Sequence, residues 1–268
     1  MERISSVIIT LNEESTIADC VRSLRPFSDE ILVVDSFSTD RTAAVCRGLG
    51  CRVVTRKFDD FIRQKNFALS RAQYDRIFFI DADERVPPEL ADRVKKIKQA
   101  GFPADAYWIP RRNLYLGGRA WYGGWGSDGK FFLFDRRKCR YRGGGVHEFL
   151  DTEKAKIARL GPFVLHRPYA NLGHHLRKID SYSSLFAKAR AGRPRPLLFL
   201  EVLFRPAFKF IKCYFLQAAF LAGTRGFIFS VLAAFSVFMK YSKLMEYKFS
   251  STDHRKRKAG RPVRRGRG

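Results

Sequence analysis

Two carboxylates one residue apart, Asp81 and Asp83, follow the apolar run Ile77-Phe78-Phe79-Ile80. On a turn just past a buried strand, that spacing suits a hard divalent cation, Mg2+ or Mn2+, held together with a ribose. Such a cation bridges the two phosphates of a diphosphate and neutralises its charge as it departs. A D-x-D triplet is common on surface loops, so its weight comes from its position. Two other polar clusters end apolar runs in the same way. Thr10-Leu11-Asn12-Glu13-Glu14 follows Val7-Ile8-Ile9, and Asp35 follows Ile31-Leu32-Val33-Val34.

The elements that must position these residues alternate between strand and helix. Strands are expected at 4–10, 30–35, 52–55 and 76–81. Between them lie a helix with Ile17, Val21 and Leu24 on one face, a helix over 41–49 and a helix from Phe61 to Ala72. Pro87-Pro88 opens a further helix with Leu90, Val94 and Ile97 on one face. Continuously apolar strands alternating with helices predict an α/β fold, with a mostly parallel sheet covered on both faces. Ligands bind such sheets beyond the carboxyl ends of the strands, where all three polar clusters fall. No G-x-G-x-x-G follows the first strand, which argues against a dinucleotide site. From about 106 to 165 the pattern turns β-like and loop-rich. From about 170 to 250 it is helical, with Phe, Leu and Lys/Arg interleaved.

Three ordered motifs carry a family resemblance: Val7-Ile8-Ile9-Thr10-Leu11-Asn12-Glu13-Glu14, Ile31–Asp40, and Phe79-Ile80-Asp81-Ala82-Asp83-Glu84. Together they resemble the family 2 inverting glycosyltransferases of GT-A fold. Within that family the chain resembles the lipopolysaccharide core β-1,4-glucosyltransferases, supported by Arg63-Gln64-Lys65-Asn66-Phe67-Ala68-Leu69 and Val146-His147-Glu148. The resemblance implies a nucleotide-diphospho-sugar transferase fold with a Rossmann-like mixed sheet. It implies a UDP-sugar donor, a lipid-linked saccharide acceptor and a divalent metal cofactor. It places Thr10, Glu13 and Asp35 around the base and ribose, Asp81 at the ribose or metal, and Asp83 at the metal. Arg63 would reach the diphosphate, His147 would complete the metal's ligands, and Glu148 would serve the acceptor. Asp128, in Gly124-Trp125-Gly126-Ser127-Asp128-Gly129-Lys130, falls where the resemblance places the base that takes the acceptor hydroxyl's proton. The chain departs from the branch at Phe132, where a basic residue is often found.

Each role has a structural counterpart. Asp35 can cap a turn, Glu13 can favour a helix N-terminus, Arg63 can be a solvated helix charge, and Asp128 can be a turn residue between glycines. The adjacent His174 and His175 point different ways on a helix and read as surface residues rather than a ligand pair.

The five cysteines form no C-x-x-C pair or zinc-like spacing, and Met1-Glu2-Arg3-Ile4 runs into a strand without a leader-like pattern; both suit a cytoplasmic enzyme. The net charge of +25 favours a polyanionic partner. The apolar runs at 213–223 and 227–239 are each too short to span a bilayer, and basic residues from Arg205 to Lys248 are interleaved with them. That pattern predicts helices lying on an anionic membrane surface, at the cytoplasmic face of the inner membrane; the alternatives are a core-packing helical subdomain and a single span through 213–239, which would put Arg225 mid-membrane. The expected organisation is a transferase domain over 1–168, a helical membrane-associating region over 169–250, and a disordered basic tail over 251–268. A nucleic-acid-binding protein built on the tail is the different-class alternative. Anionic lipid or solubility explains the tail without DNA, so no nucleic acid partner is expected.

Overall fold

The computed structural model describes residues 2–119, 122–124, 128–144, 147–192 and 195–259. Contacts divide the chain into two compact units: Met1–Ala120 with Trp125–Ala170, and Asn171–Gly268 with Trp121–Gly124.

The first unit begins with the expected alternation: β1 (Ile4–Thr10), α1 (Ile17–Leu24), β2 (Glu30–Asp35), α2 (Thr42–Gly48), β3 (Arg52–Thr55), α3 (Phe61–Arg71) and β4 (Arg76–Asp81). It continues with β5 (Glu84–Arg85), α4 (Pro88–Gln99), β6 (Ala106–Tyr115), β7 (Gly118–Arg119) and β8 (Asp128–Asp135). β9 (Arg140–Gly144), β10 (His147–Asp151), β11 (Ile157–Arg159) and β12 (Val164–His166) complete it. The main sheet runs β3-β2-β1-β4-β8-β6-β12-β5. Its first four strands are parallel, and β8 then enters antiparallel between β4 and β6. This mixed α/β sheet is the GT-A type architecture that the motifs imply.

The apolar strands lie between helical layers. Ile8, Ile80 and Phe78 face one core with Ile17, Val21, Leu24, Leu90 and Val94; Val7, Phe79 and Phe134 face the other with Ala68 and Leu69. Each fully buried Phe or Ile contributes roughly 1.5–3 kcal/mol relative to exposure, so register is strongly specified. Parallel register then aligns the strand ends: Thr10 lies opposite Asp35, and Ile9 opposite Asp81. Beyond β8 the sheet changes character, because antiparallel ladders bring together residues far apart in sequence.

The second unit consists of α5 (Leu172–Arg190), α6 (Leu198–Ile211), a π-helical turn Lys212–Leu216, a 3-10 turn Ala219–Ala222 and α7 (Thr224–Ala259). Asn171 caps α5, its side chain accepting from the His174 backbone N–H at 2.8 Å. Ala187, Leu198, Tyr241 and Leu244 form a small core where α5 and α6 meet α7. Between α6 and α7 the chain turns sharply, with Ala218 and Gly223 at φ values of 54° and 59°. There Gly226 admits close backbone approach, since a Cβ would lie 1.7 Å from the Ala219 carbonyl oxygen. Gly123 donates its N–H to the Gln217 carbonyl at 2.9 Å.

Two features of this unit differ from the sequence reading. Thr224–Phe249 forms one helix long and apolar enough to cross a membrane by length and composition, where counting uninterrupted runs finds none. The helix continues through Lys240 and Lys243, which a run count treats as a stop. It also carries helical backbone to Ala259, into the stretch expected to be disordered from 251; residues 260–268 lie outside the described residues.

Candidate active site

The loops after β1 and β2 are laced together at the carboxyl edge of the sheet. Asn12, at φ 55°, donates its N–H to Ser38 Oγ at 2.9 Å and accepts from the Thr39 N–H at 2.8 Å. Asp35 is buried and accepts from the Ser38 N–H (3.0 Å) and hydroxyl (2.5 Å), so its turn-capping role is realised. Glu13 accepts from the Thr16 hydroxyl at 2.8 Å, at the start of α1. Beside Asp35, the Thr10 hydroxyl is buried without a hydrogen-bond partner among the described residues. Such an orphan is costly, and a polar ligand group at the strand ends would satisfy it.

The helix segment that follows is explained residue by residue. Gln64 donates to Ser36 Oγ at 3.1 Å, steadying the loop after β2. Lys65 pairs with Glu148 at 2.9 Å, its ammonium 4.9 Å from the Tyr141 ring centroid. Asn66 both donates to and accepts from the Tyr141 backbone, closing the edge of β9. Glu148, expected to serve an acceptor, is thus engaged by Lys65. Arg63 is exposed and pairs with Asp60 at 3.4 Å and Asp59 at 3.8 Å, so it stands among its own helix neighbours. The backbone of His147 lies in β10 opposite Gly144; its side chain lies outside what is described.

The decisive geometry centres on β4, β5, β6, β8 and β12. Arg111 lies directly across the ladder from Asp128, Asn113 across from His166, and His166 across from Glu84. Since alternate residues share a face, Asp128, Lys130, Arg111, Asn113, His166 and Glu84 converge. Lys130 Nζ lies 2.5 Å from Asp81 and 3.0 Å from Glu84. Arg111 bridges Glu84 at 3.1 Å and Asp128, to which its Nε donates at 2.9 Å. Glu84 is fully buried and also accepts from the Asp81 N–H at 2.9 Å. Burial pushes the Glu84 carboxyl up, against the opposing pull of Lys130. Burial also raises Asp81, but the Lys130 ammonium, with Lys65 behind it, outweighs that and holds Asp81 well below the usual carboxylate range. Lys130 is held above its ordinary value: burial lowers it, and Asp81 and Glu84 more than reverse this.

Asp83 faces His166, with 3.5 Å between Oδ1 and Nε2. The other ring nitrogen of His166 lies 2.6 Å from Asn113 Oδ1. With Asn113 accepting from Nδ1–H, Nε2 presents its lone pair towards Asp83. A carboxylate and an imidazole so placed fit Mg2+ or Mn2+ as a partial ligand set. Among the described residues no three His, Cys, Asp or Glu side chains group as a complete set. A cavity of about 300 Å3 lined by Pro87, Arg112, Leu114, Phe163 and Leu165 is separate from this cluster, because Arg112 and Leu114 alternate with Arg111 and Asn113 on β6.

Residues 5–149 match the family model for glycosyl transferase family 2. The chain belongs to glycosyltransferase family 2. An uncharacterised glycosyltransferase of Rickettsia felis is 30% identical to this transferase over 92% of the chain and 90% of the relative. The lipopolysaccharide core biosynthesis glycosyltransferase LpsC of Rhizobium meliloti is 29% identical over 91% of the chain and 92% of its own length. Among solved structures, glucosyl-3-phosphoglycerate synthase of Mycobacterium tuberculosis, bound to Mn2+ and UDP-glucose, is 28% identical at a TM-score of 0.35. That match covers 44% of the transferase and 45% of the synthase, so the chain spans under half the solved structures it resembles.

The residues this transferase brings together were only partly signalled by its sequence. The strand-end residues Thr10, Asp35, Asp81 and Asp83 were. His166, Asn113, Arg111 and Lys130 were not, and only cross-strand register would have found them.

Proposed function

We propose that this protein is an inverting hexosyltransferase that moves a sugar, with glucose expected, from a UDP-sugar to a lipid-linked saccharide of the lipopolysaccharide core type. The carrying observation is the convergence of Asp81, Asp83 and His166 with Asp128, beside the strand-end residues Thr10 and Asp35. The 29% identity to LpsC along nearly its whole length supports the acceptor class. Thr10, Glu13 and Asp35 would receive base and ribose. Asp83 and His166 would hold the divalent ion, Asp81 would serve the ribose or the ion, and Arg63 would meet the diphosphate only after leaving Asp59 and Asp60. When bound, the ion supplies charge neutralisation for the leaving diphosphate. Asp128 would take the proton of the acceptor hydroxyl as its oxygen bonds to the anomeric carbon, opposite the departing UDP. His147 stays in this reading as a further metal ligand.

The cytoplasmic face of the inner membrane is the proposed location. On α6, Leu200, Phe204, Phe208 and Ile211 are exposed at i, i+4, i+8 and i+11, forming one outward apolar stripe. Arg205, Lys209 and Lys212 accompany it, a pattern suited to anionic head groups. An in-plane helix fits better than a span, since a segment of about 20 residues following Arg225 would carry Lys240 and Lys243 into hydrocarbon. A polyprenyl phosphate or capsular glycan acceptor is the second reading.

The test is transfer from radiolabelled UDP-glucose, UDP-galactose and UDP-N-acetylglucosamine to membrane-extracted lipid-linked saccharide with Mg2+ or Mn2+. Asp83→Ala should lose transfer by at least about 100-fold. Wild-type turnover in that variant would remove the metal-site reading.

A further inference from the structure

The pairing of Arg111 with Asp128 raises a chemical question. A base for a sugar hydroxyl must offer an oxygen lone pair to that hydroxyl, yet Asp128 already carries an arginine. The atoms resolve the conflict. Arg111 directs both Nε, at 2.9 Å, and Nη2 to the same oxygen, Asp128 Oδ2. Among the described residues no bond is made to Oδ1, and the Asp128 side chain is 36% exposed. Among the described residues, then, one oxygen is held and the other is open.

What fixes the guanidinium is equally specific. Its third group, Nη1, reaches Glu84 Oε1 at 3.1 Å, and Glu84 has no exposed surface. Glu84 Oε2 meanwhile accepts from the Asp81 backbone N–H and meets Lys130, whose ammonium also holds the Asp81 carboxylate. A planar guanidinium that bridges two carboxylates has little rotational freedom, whereas an ammonium is a point charge and cannot fork. Cross-strand register places Arg111 opposite Asp128. Glu84 therefore ties the donor-side carboxylate, through Lys130, to the acceptor-side carboxylate, through Arg111.

We propose that Arg111, anchored on the buried Glu84, is a positioning residue that aims the Oδ1 atom of Asp128 at the acceptor hydroxyl. Glu84 is the fixed point of the bracket and touches neither substrate. This inference rests on the reading of Asp128 as the proton acceptor, so the experiment separates the two. Asp128→Asn, Arg111→Met, Arg111→Lys and Glu84→Gln are each measured for kcat and KM, with UDP affinity by calorimetry in the presence of Mn2+ reporting an intact donor site.

Asp128→Asn should abolish transfer; wild-type turnover there overturns the proton-acceptor reading and the bracket with it. Given that loss, Arg111→Met should lower kcat by about 100-fold, as for a reacting group displaced by about 1 Å, with donor KM and UDP affinity within about twofold of wild type. Arg111→Lys should not rescue kcat. Glu84→Gln should lower kcat in the same direction but less, because the Arg111–Asp128 pair remains. Inactive Asp128→Asn together with an Arg111→Lys variant at wild-type kcat would overturn the bracket alone. So would a fall in UDP affinity parallel to kcat in both Arg111 variants, which marks Arg111 as a fold residue.

Discussion

Replacing His166 tests the metal assignment more sharply than replacing either aspartate, because His166 has no other evident purpose at the carboxyl edge. Its imidazole is pinned by a 2.6 Å contact from Nδ1 to Asn113, and its Nε2 stands 3.5 Å from Asp83. If the pair holds an ion, Asn113 is the outer partner that sets tautomer and ring angle. Loss of such a partner typically weakens metal affinity or activity by about 10–100-fold, or about 1.4–2.7 kcal/mol. Asn113→Ala should fall in that range, and His166→Ala should lose more, since a donor atom itself is gone. The assay is Mn2+ binding in the presence of saturating UDP, followed by the electron paramagnetic signal of free Mn2+. His174→Ala, in the helical unit, is the control and should bind as wild type. An order in which Asn113→Ala matters and His166→Ala does not would refute the reasoning. So would a His166→Ala protein that binds Mn2+ and transfers sugar normally.

Other outcomes follow from the two units. Lys65 and Glu148 form a largely buried pair, with side chains 10% and 21% exposed, so Lys65→Met should destabilise the fold by about 3–5 kcal/mol in urea titration. Adding Glu148→Leu should recover much of that loss; additive losses would show that the pair matters little as a pair. His175, read from the sequence as a surface residue, is instead buried, and burial first, then His174 and Lys178, lowers its imidazole to about 4. A depressed histidine means that the unfolded chain binds the extra proton, so stability should be lost as pH falls from about 6.5 towards 4, by up to roughly 3 kcal/mol. His175→Asn should flatten that limb of an acid titration followed by circular dichroism. Gly226→Ala forces a Cβ against the Ala219 carbonyl oxygen and should lower thermal stability by at least the roughly 1–3 kcal/mol of an overpacked site; an unchanged melting curve would contradict the close approach.

What was legible in the sequence was what local pattern encodes. Apolar runs such as Ile31–Val34 and Ile77–Ile80 mark buried parallel strands, and parallel register places the residue after each run on one edge of the sheet. Thr10, Asp35 and Asp81 could therefore be grouped without coordinates. Beyond β8 no such inference is possible. His166 follows Asp83 at a distance in sequence, and its neighbours on β6 and β5 are set by antiparallel and crossover pairing that no short period records. The sequence accordingly drew attention to His147, next to a glycine run and Glu148, while Glu148 is held by Lys65. Arg63 was drawn in by its place at a helix start, where the local carboxylates Asp59 and Asp60 had the prior claim.

The same limit bears on the charge. A net +25 reads as a surface property, and for α6 the exposed apolar stripe beside its basic residues keeps that reading. Within the catalytic unit, however, Lys65, Arg111 and Lys130 are turned inward, each against Glu or Asp. These cations set the electrostatics of the site rather than attract an anionic surface. Neutralising them should disturb sugar transfer with little effect on membrane partition. Neutralising Arg205, Lys209 and Lys212 should do the reverse, and vesicle flotation beside a soluble-donor binding assay separates the two. A common loss of both activities in either set would mean that charge in this protein acts globally, and that the division between inward and outward cations has no functional meaning.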